Sequence, residues 1–167
     1  MRTIASTFRA NIEASNTSEV VLIFVTITHP DLDAPLYFNS DIRDYVLNGN
    51  TYTGVALNVS LLSDENSAPT AKLSIPNVDQ IIGETVLNLS TSPQFRMEVY
   101  AASDWDTNNP ANPLGTPTVE YTAPFLFLRN VACDVLGFTA DIISYDLTSE
   151  PWPAIRSTAD RLPGLYR

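Results

Sequence analysis

A chain of 167 residues with a hydrophobic fraction of 44% can bury one sizeable core and does not have the composition of a disordered protein. Nineteen acidic residues against nine basic ones give a net charge of −10, which excludes a surface that grips nucleic acid by neutralising phosphates. The acidity fits either a solvated surface that keeps the protein in solution or the lining of a passage through which DNA slides without sticking.

In chain order, Ile4, Phe8 and Ile12 recur at helical spacing and predict a short amphipathic helix over roughly 3–14. This N-terminal stretch has no continuous apolar segment, so a secretory signal is not expected. Residues 19–28 are rich in Val, Ile, Phe and Thr and read as a central strand buried on both faces. The aliphatic run Val20 to Val25 inside it is too short to span a bilayer. His29-Pro30-Asp31-Leu32-Asp33 reads as a turn.

Asn48-Gly49 between Tyr45-Val46-Leu47 and Thr51-Tyr52-Thr53 is the clearest hairpin signal in the chain. Val55, Leu57, Val59 and Leu61 alternate with small or polar residues and predict a long half-buried strand, and Ala71, Leu73 and Ile75 predict the next. Asn77 with Gln80 suggests an N-cap and a second helix over 78–90. Strands follow at 94–101, 125–133 and 138–147, the last two turned near 134–137. Between the first and second of these, 104–117 is Asn/Pro-rich and reads as a long functional or mobile loop. The fold class is therefore mainly β with one or two short helices: a domain over 1–149, then an extended arm over 150–167.

Little in the chain points to chemistry. The single histidine, His29, has only Asp31 and Asp33 nearby in sequence and reads as a surface turn residue. Asp104-Trp105-Asp106-Thr107-Asn108 imitates the start of a calcium loop, but the sixth and twelfth positions are Asn109 and Gly115 where glycine and glutamate are needed. Trp105 is accordingly taken as an interface residue. Cys133 is the sole cysteine and is expected to be a buried structural thiol, with no disulfide or thiolate cluster and a reducing cytosol as the place of synthesis. Acid pairs such as Asp141 and Asp146 arise by chance among so many carboxylates. No enzymatic role, metal or cofactor is expected.

The last segment carries Pro151-Trp152-Pro153 and Leu162-Pro163-Gly164-Leu165-Tyr166 without periodicity, which fits an extended arm pinned on its own domain or on a neighbouring copy.

Several of these segments in order resemble a family of tailed-bacteriophage and prophage tail proteins, itself loosely similar to the N-terminal part of lambda-type minor tail protein L. They are the Phe8 helix, Thr26-Ile-Thr-His-Pro30, Asn48 to Gly54, Ile75 to Ile82, Leu126 to Val131 and Leu162 to Tyr166. The resemblance implies a tail-tube-like antiparallel β-sandwich or barrel and a non-enzymatic virion component, assembled in the host cytoplasm. It would form a distal-tail or hub ring of six or three copies, with the tail tube protein and the hub and central fibre proteins of the tip as partners and DNA passing through the bore. The relative carries a C-terminal cysteine-ligated iron–sulfur domain; with Cys133 alone no such cluster is expected here. Phe8, Trp105, Trp152, Arg161, Leu162, Pro163, Leu165 and Tyr166 are the expected subunit-interface residues. A receptor- or carbohydrate-binding module at the tail tip, with Trp105, Trp152 and tyrosines as its platform, is the competing reading.

Overall fold

The computed structural model describes residues 6–17, 19–60, 70–76, 89–106, 109–134 and 137–144. The protein is mainly β. One helix, α1 (Ser6–Glu13), precedes β1 (Val21–Thr28), β2 (Leu36–Asn39), β3 (Tyr45–Leu47), β4 (Asn50–Gly54), β5 (Asn58–Val59), β6 (Thr70–Pro76) and β7 (Gln94–Ala101). A single 3-10 turn (Ala102–Asp104) then leads to β8 (Trp105–Asp106), β9 (Asn109–Pro113), β10 (Tyr121–Cys133) and β11 (Gly137–Ser144). Among the described residues no helix is long and apolar enough to cross a membrane.

Nine strands form one sheet in the order β3-β4-β2-β1-β7-β10-β11-β6-β5. All its pairs are antiparallel except β2 with β4. In a flat sheet β4 and β5 would stand seven strand spacings, or about 34 Å, apart. Only residues 55–57 separate them in sequence, and three linking residues reach at most about 14 Å. The sheet must therefore curl back on itself into a barrel. The core agrees: Phe38 of β2 and Leu57 of the link share one cluster with Leu73 of β6 and Ile142 of β11 from the opposite end of the strand order.

β1 lies between β2 and β7, as a fully buried strand must. Its alternation sends Val25 and Ile27 into the barrel and Leu22 and Phe24 to the outer face, where they join a second cluster with Tyr45, Leu47, Tyr52, Tyr100 and Trp105. The β3–β4 hairpin turns as expected, with Asn48 at φ 51° and Gly49 at φ 80°, the left-handed pair that matches strand twist. Gly54 is needed for a different reason. A Cβ there would stand 2.5 Å from the Ile42 carbonyl carbon and 2.6 Å from the Arg43 nitrogen. The fully buried Asn39 holds the same corner, its amide donating to the Arg43 and Tyr52 carbonyls (2.9 and 2.8 Å) while its oxygen accepts from the Asp41 amide (2.8 Å).

Several expectations need correction. Of the long strand foreseen from Val55, only Asn58–Val59 pairs, because Ala56 takes a left-handed φ of 47° and breaks the extended chain; Leu61 lies outside the described residues. The predicted loop over 104–117 contains the β8–β9 ribbon. β10 begins at Tyr121 rather than Phe125, absorbing Pro124 at a break in its register with β7 between Ala123 and Leu126. The second predicted helix lies outside the described residues except for Leu89 and Ser90, which are irregular. Ile4, residues 145–147 at the end of the last predicted strand and the arm over 150–167 are outside them too.

Candidate functional site

The densest side-chain arrangement is aromatic and lies on the outer face of the barrel. Phe24 is its centre, with Trp105 stacked on it (centroids 5.2 Å apart, planes 22°) and Tyr45, Tyr52 and Tyr100 edge-on at 6.0, 4.9 and 5.2 Å. The Trp105 indole N–H donates to the Val46 carbonyl at 3.5 Å, and the residue is only 3% exposed. Trp105 is thus a core residue of its own chain, not the surface contact foreseen from the sequence: the ribbon folds it inward, and its burial is a tertiary event that the polar Asn/Pro-rich flanks conceal. The phenols here are poor acid–base groups. Burial, and then the hydrogen bond to Asp41 (2.7 Å), pushes Tyr45 up to about 12. Burial likewise raises Tyr52 and Tyr100. Glu98, buried beside them, is satisfied by the Arg96 guanidinium and by the Tyr100 hydroxyl at 3.4 Å.

His29 is the second arrangement, and it is not a surface residue: its side chain is 2% exposed. Nε2 lies 2.7 Å from the Thr91 hydroxyl, and Nδ1 faces the Asp31 carboxylate at 3.5 Å. That outline imitates a hydroxyl–imidazole–carboxylate triad, but the protons are placed wrongly for one. Nδ1 accepts the Asp31 backbone N–H at 3.0 Å, so in the neutral ring the proton sits on Nε2 and is donated to Thr91. A general base for Thr91 needs the free lone pair there instead. The Asp31 carboxylate is engaged elsewhere, accepting from the Ser90 hydroxyl (2.6 Å) and amide (3.2 Å). Those two bonds hold its carboxyl below the usual value. The group clamps the approach to β7 onto the end of β1, beside a cleft of about 400 Å³ that includes Gln94 and Phe127.

The remaining candidates resolve into structural roles. The Asp104 carboxylate accepts the Thr118 amide (2.9 Å) and its carbonyl accepts the Leu114 amide (2.9 Å), which ties the ribbon's exit to its base. Among the described residues no three His, Cys, Asp or Glu side chains are grouped to hold a metal ion. Asp141 accepts from the Asn130 amide at 2.7 Å, and Asp146 lies outside the described residues. Cys133, expected to be buried, is half-exposed at the end of β10, where the strand outruns the core.

The third arrangement is the barrel end covered by α1. Phe8 is buried there against the chain's own barrel, so it too is not a free surface residue. With Ile12 it overhangs an apolar cavity of about 420 Å³ lined from β1, β5, β6, β7, β10 and β11. Phe8 and Trp105 belong to different places, one at this barrel end and the other on the outer face. Trp152, Arg161, Leu162, Pro163, Leu165 and Tyr166 lie outside the described residues.

Sequence reading missed three apolar side chains directed at solvent: Phe125 (81% exposed), Ile42 (78%) and Leu114 (70%). Phe125 sits in the register break of β10, which turns its side chain out of the sheet. The Pro124 before it was the one available signal.

The family profile described as "Domain of unknown function (DUF1833)" matches residues 7–157. The chain belongs to the DUF1833 family. No curated protein matches it. The DUF1833 match takes in α1 from its second residue, the whole barrel and the ribbon, and runs on past β11 to include Pro151-Trp152-Pro153. Arg161, Leu162, Pro163, Leu165 and Tyr166 fall beyond it.

Proposed function

We propose that this DUF1833 chain is a structural subunit of a phage tail, forming a distal-tail or hub ring that joins the tail tube to the tip and surrounds the DNA channel. The observation that carries the reading is the outward placement of Phe125, Ile42 and Leu114 on a strongly acidic domain. Burying a phenylalanine or leucine of this kind against a partner is worth about 1.5–3 kcal/mol, and the strand bulge re-aims Phe125 to where a partner can cover it. The ordered sequence resemblance to tail proteins supports it further, and closed cyclic symmetry is the usual way copies of one chain assemble. Its partners are then further copies of itself, sixfold or threefold, the tail tube protein, and the hub and central fibre proteins of the tip. Carboxylates facing the bore repel DNA and let it pass; a neutral or basic lumen contradicts that part of the proposal.

Negative-stain imaging and mass measurement of the purified protein test the assembly directly. Rings with a central opening are expected, and Phe125→Asp is expected to leave folded monomers. The competing reading, a receptor- or carbohydrate-binding module, needs aromatic faces on an open surface. Of the rings it would draw on, Trp105, Tyr45, Tyr52 and Tyr100 are buried, while Trp152 lies outside the described residues.

A further inference from the structure

The cavity beneath α1 is an apolar groove of about 420 Å³ that opens to solvent at its rim. Its wall is built from Phe8, Ile23, Met97, Leu126 and Ile142, with the Tyr121 phenol and the Ser60 hydroxyl as its polar points. The Ser60 oxygen is already occupied, accepting the Lys72 amide at 2.7 Å. At the rim Ile12 and Val21 line the cavity and are themselves exposed, and Val20 and Val119 are exposed on the adjoining chain. Apolar space of this kind calls for an apolar occupant rather than for water.

The described chain ends at this place. β11 stops at Ser144, which pairs with Leu126, and both Leu126 and Ile142 line the cavity. Residues 145–167 follow; after Tyr145 and Leu147 they carry Pro151-Trp152-Pro153, whose indole is the largest apolar side chain of the segment. Trp152 is eight residues past Ser144, a reach of up to about 26–29 Å. The family match includes this tripeptide and stops at residue 157. Residues 61–69 also leave from the lining, after Ser60, but offer Leu61 and Leu62 and then a polar Ser-Asp-Glu-Asn-Ser run. A short tether gives the chain's own segment an effective concentration near millimolar, well above that of a second copy in dilute solution.

We propose that Pro151-Trp152-Pro153 of the same chain docks in this cavity, with the Trp152 indole against α1 and the β7–β10 wall, so that the barrel end is closed in the monomer. The inference does not depend on the tail assignment, since it concerns the isolated chain.

The test is fluorescence quenching over short range. A nitroxide is attached to Ile12→Cys or, in a second variant, Val119→Cys, each in a Cys133→Ser background. Trp152 emission is isolated by subtracting the same chain carrying Trp152→Phe, which removes the contribution of Trp105. The nitroxide is expected to extinguish most of the Trp152 emission, unchanged over a roughly hundredfold dilution because the contact is intramolecular. A label on the natural Cys133, seven residues along β10 from Leu126 and so about 23 Å away, is expected to leave it bright. Quenching that disappears on dilution assigns the site to the arm of a second copy and overturns the proposal. Bright Trp152 emission with both rim labels overturns it as well and directs attention to residues 61–69.

Discussion

Trp105 and Phe24 are stacked with their centroids 5.2 Å apart and their planes 22° from parallel, which joins a two-residue strand to the central strand of the barrel. The contact fixes the β8–β9 ribbon over the outer face, together with Tyr45 and Tyr100 packed edge-on against Trp105. Trp105→Ala is expected to cost about 3–5 kcal/mol, the range for removing a large buried aromatic side chain. Urea unfolding measures it. A cost below about 1 kcal/mol, the level of a surface substitution, contradicts burial of the residue.

The His29–Asp31–Ser90 clamp makes a pH prediction with a definite sign. Asp31 has its carboxyl lowered from 3.8 by the Ser90 hydroxyl and amide. A carboxylate depressed in the folded state contributes stability that is fully present above its unfolded value and is lost as the pH falls through the folded one. The difference in stability between the natural chain and Asp31→Asn should therefore be constant at neutral pH and shrink below about pH 3.8. Ser90→Ala should move the Asp31 titration, followed by NMR, upward toward its ordinary value. An unmoved midpoint contradicts the clamp.

Two glycines of one hairpin should respond differently to alanine. At Gly49 the added Cβ meets nothing within 4 Å, and only the positive φ of 80° opposes it, an expected cost of about 1–2 kcal/mol. At Gly54 the Cβ would meet backbone atoms at 2.5 and 2.6 Å. Backbone cannot step aside as a flexible side chain does, so Gly54→Ala should exceed Gly49→Ala, by about 1–3 kcal/mol. Thermal unfolding of the two variants side by side checks the order.

Tyr45 is raised by burial and by Asp41 from 10 to about 12. Its neutral form is favoured in the folded state, so its contribution is fully present below pH 10 and is lost as the pH rises from 10 to about 12. Ultraviolet titration should show Tyr45 ionising only with the onset of unfolding, and Asp41→Asn should lower its midpoint. A Tyr45 that titrates near 10 in the folded protein contradicts the buried hydrogen bond.

Much of the barrel is legible in the sequence because its signals are local. Asn48-Gly49 dictates the hairpin, the β-branched run in β1 dictates a strand buried on both faces, and the alternation of Phe95, Met97 and Val99 marks β7's inward side. What escaped is what depends on partners distant in the chain. Trp105 is buried by strands 60 to 80 residues earlier, a relation that no window around it contains. His29 looks like a turn residue because it is one, yet its burial depends on Thr91. The parallel pairing of β2 with β4 follows from how the intervening hairpin folds over, which hydrophobic period does not encode. Ala56 defeats the alternation around it with one backbone angle.

The proposal of a tail ring is tested most directly by a reconstruction of the tail tip in particles from which this chain has been identified by mass spectrometry. The account predicts a closed ring of six or three copies around an open channel, with the barrel edges toward neighbouring copies and Phe125 buried in a subunit contact. Absence of the chain from purified particles, or its presence as isolated copies with Phe125 facing solvent, contradicts it.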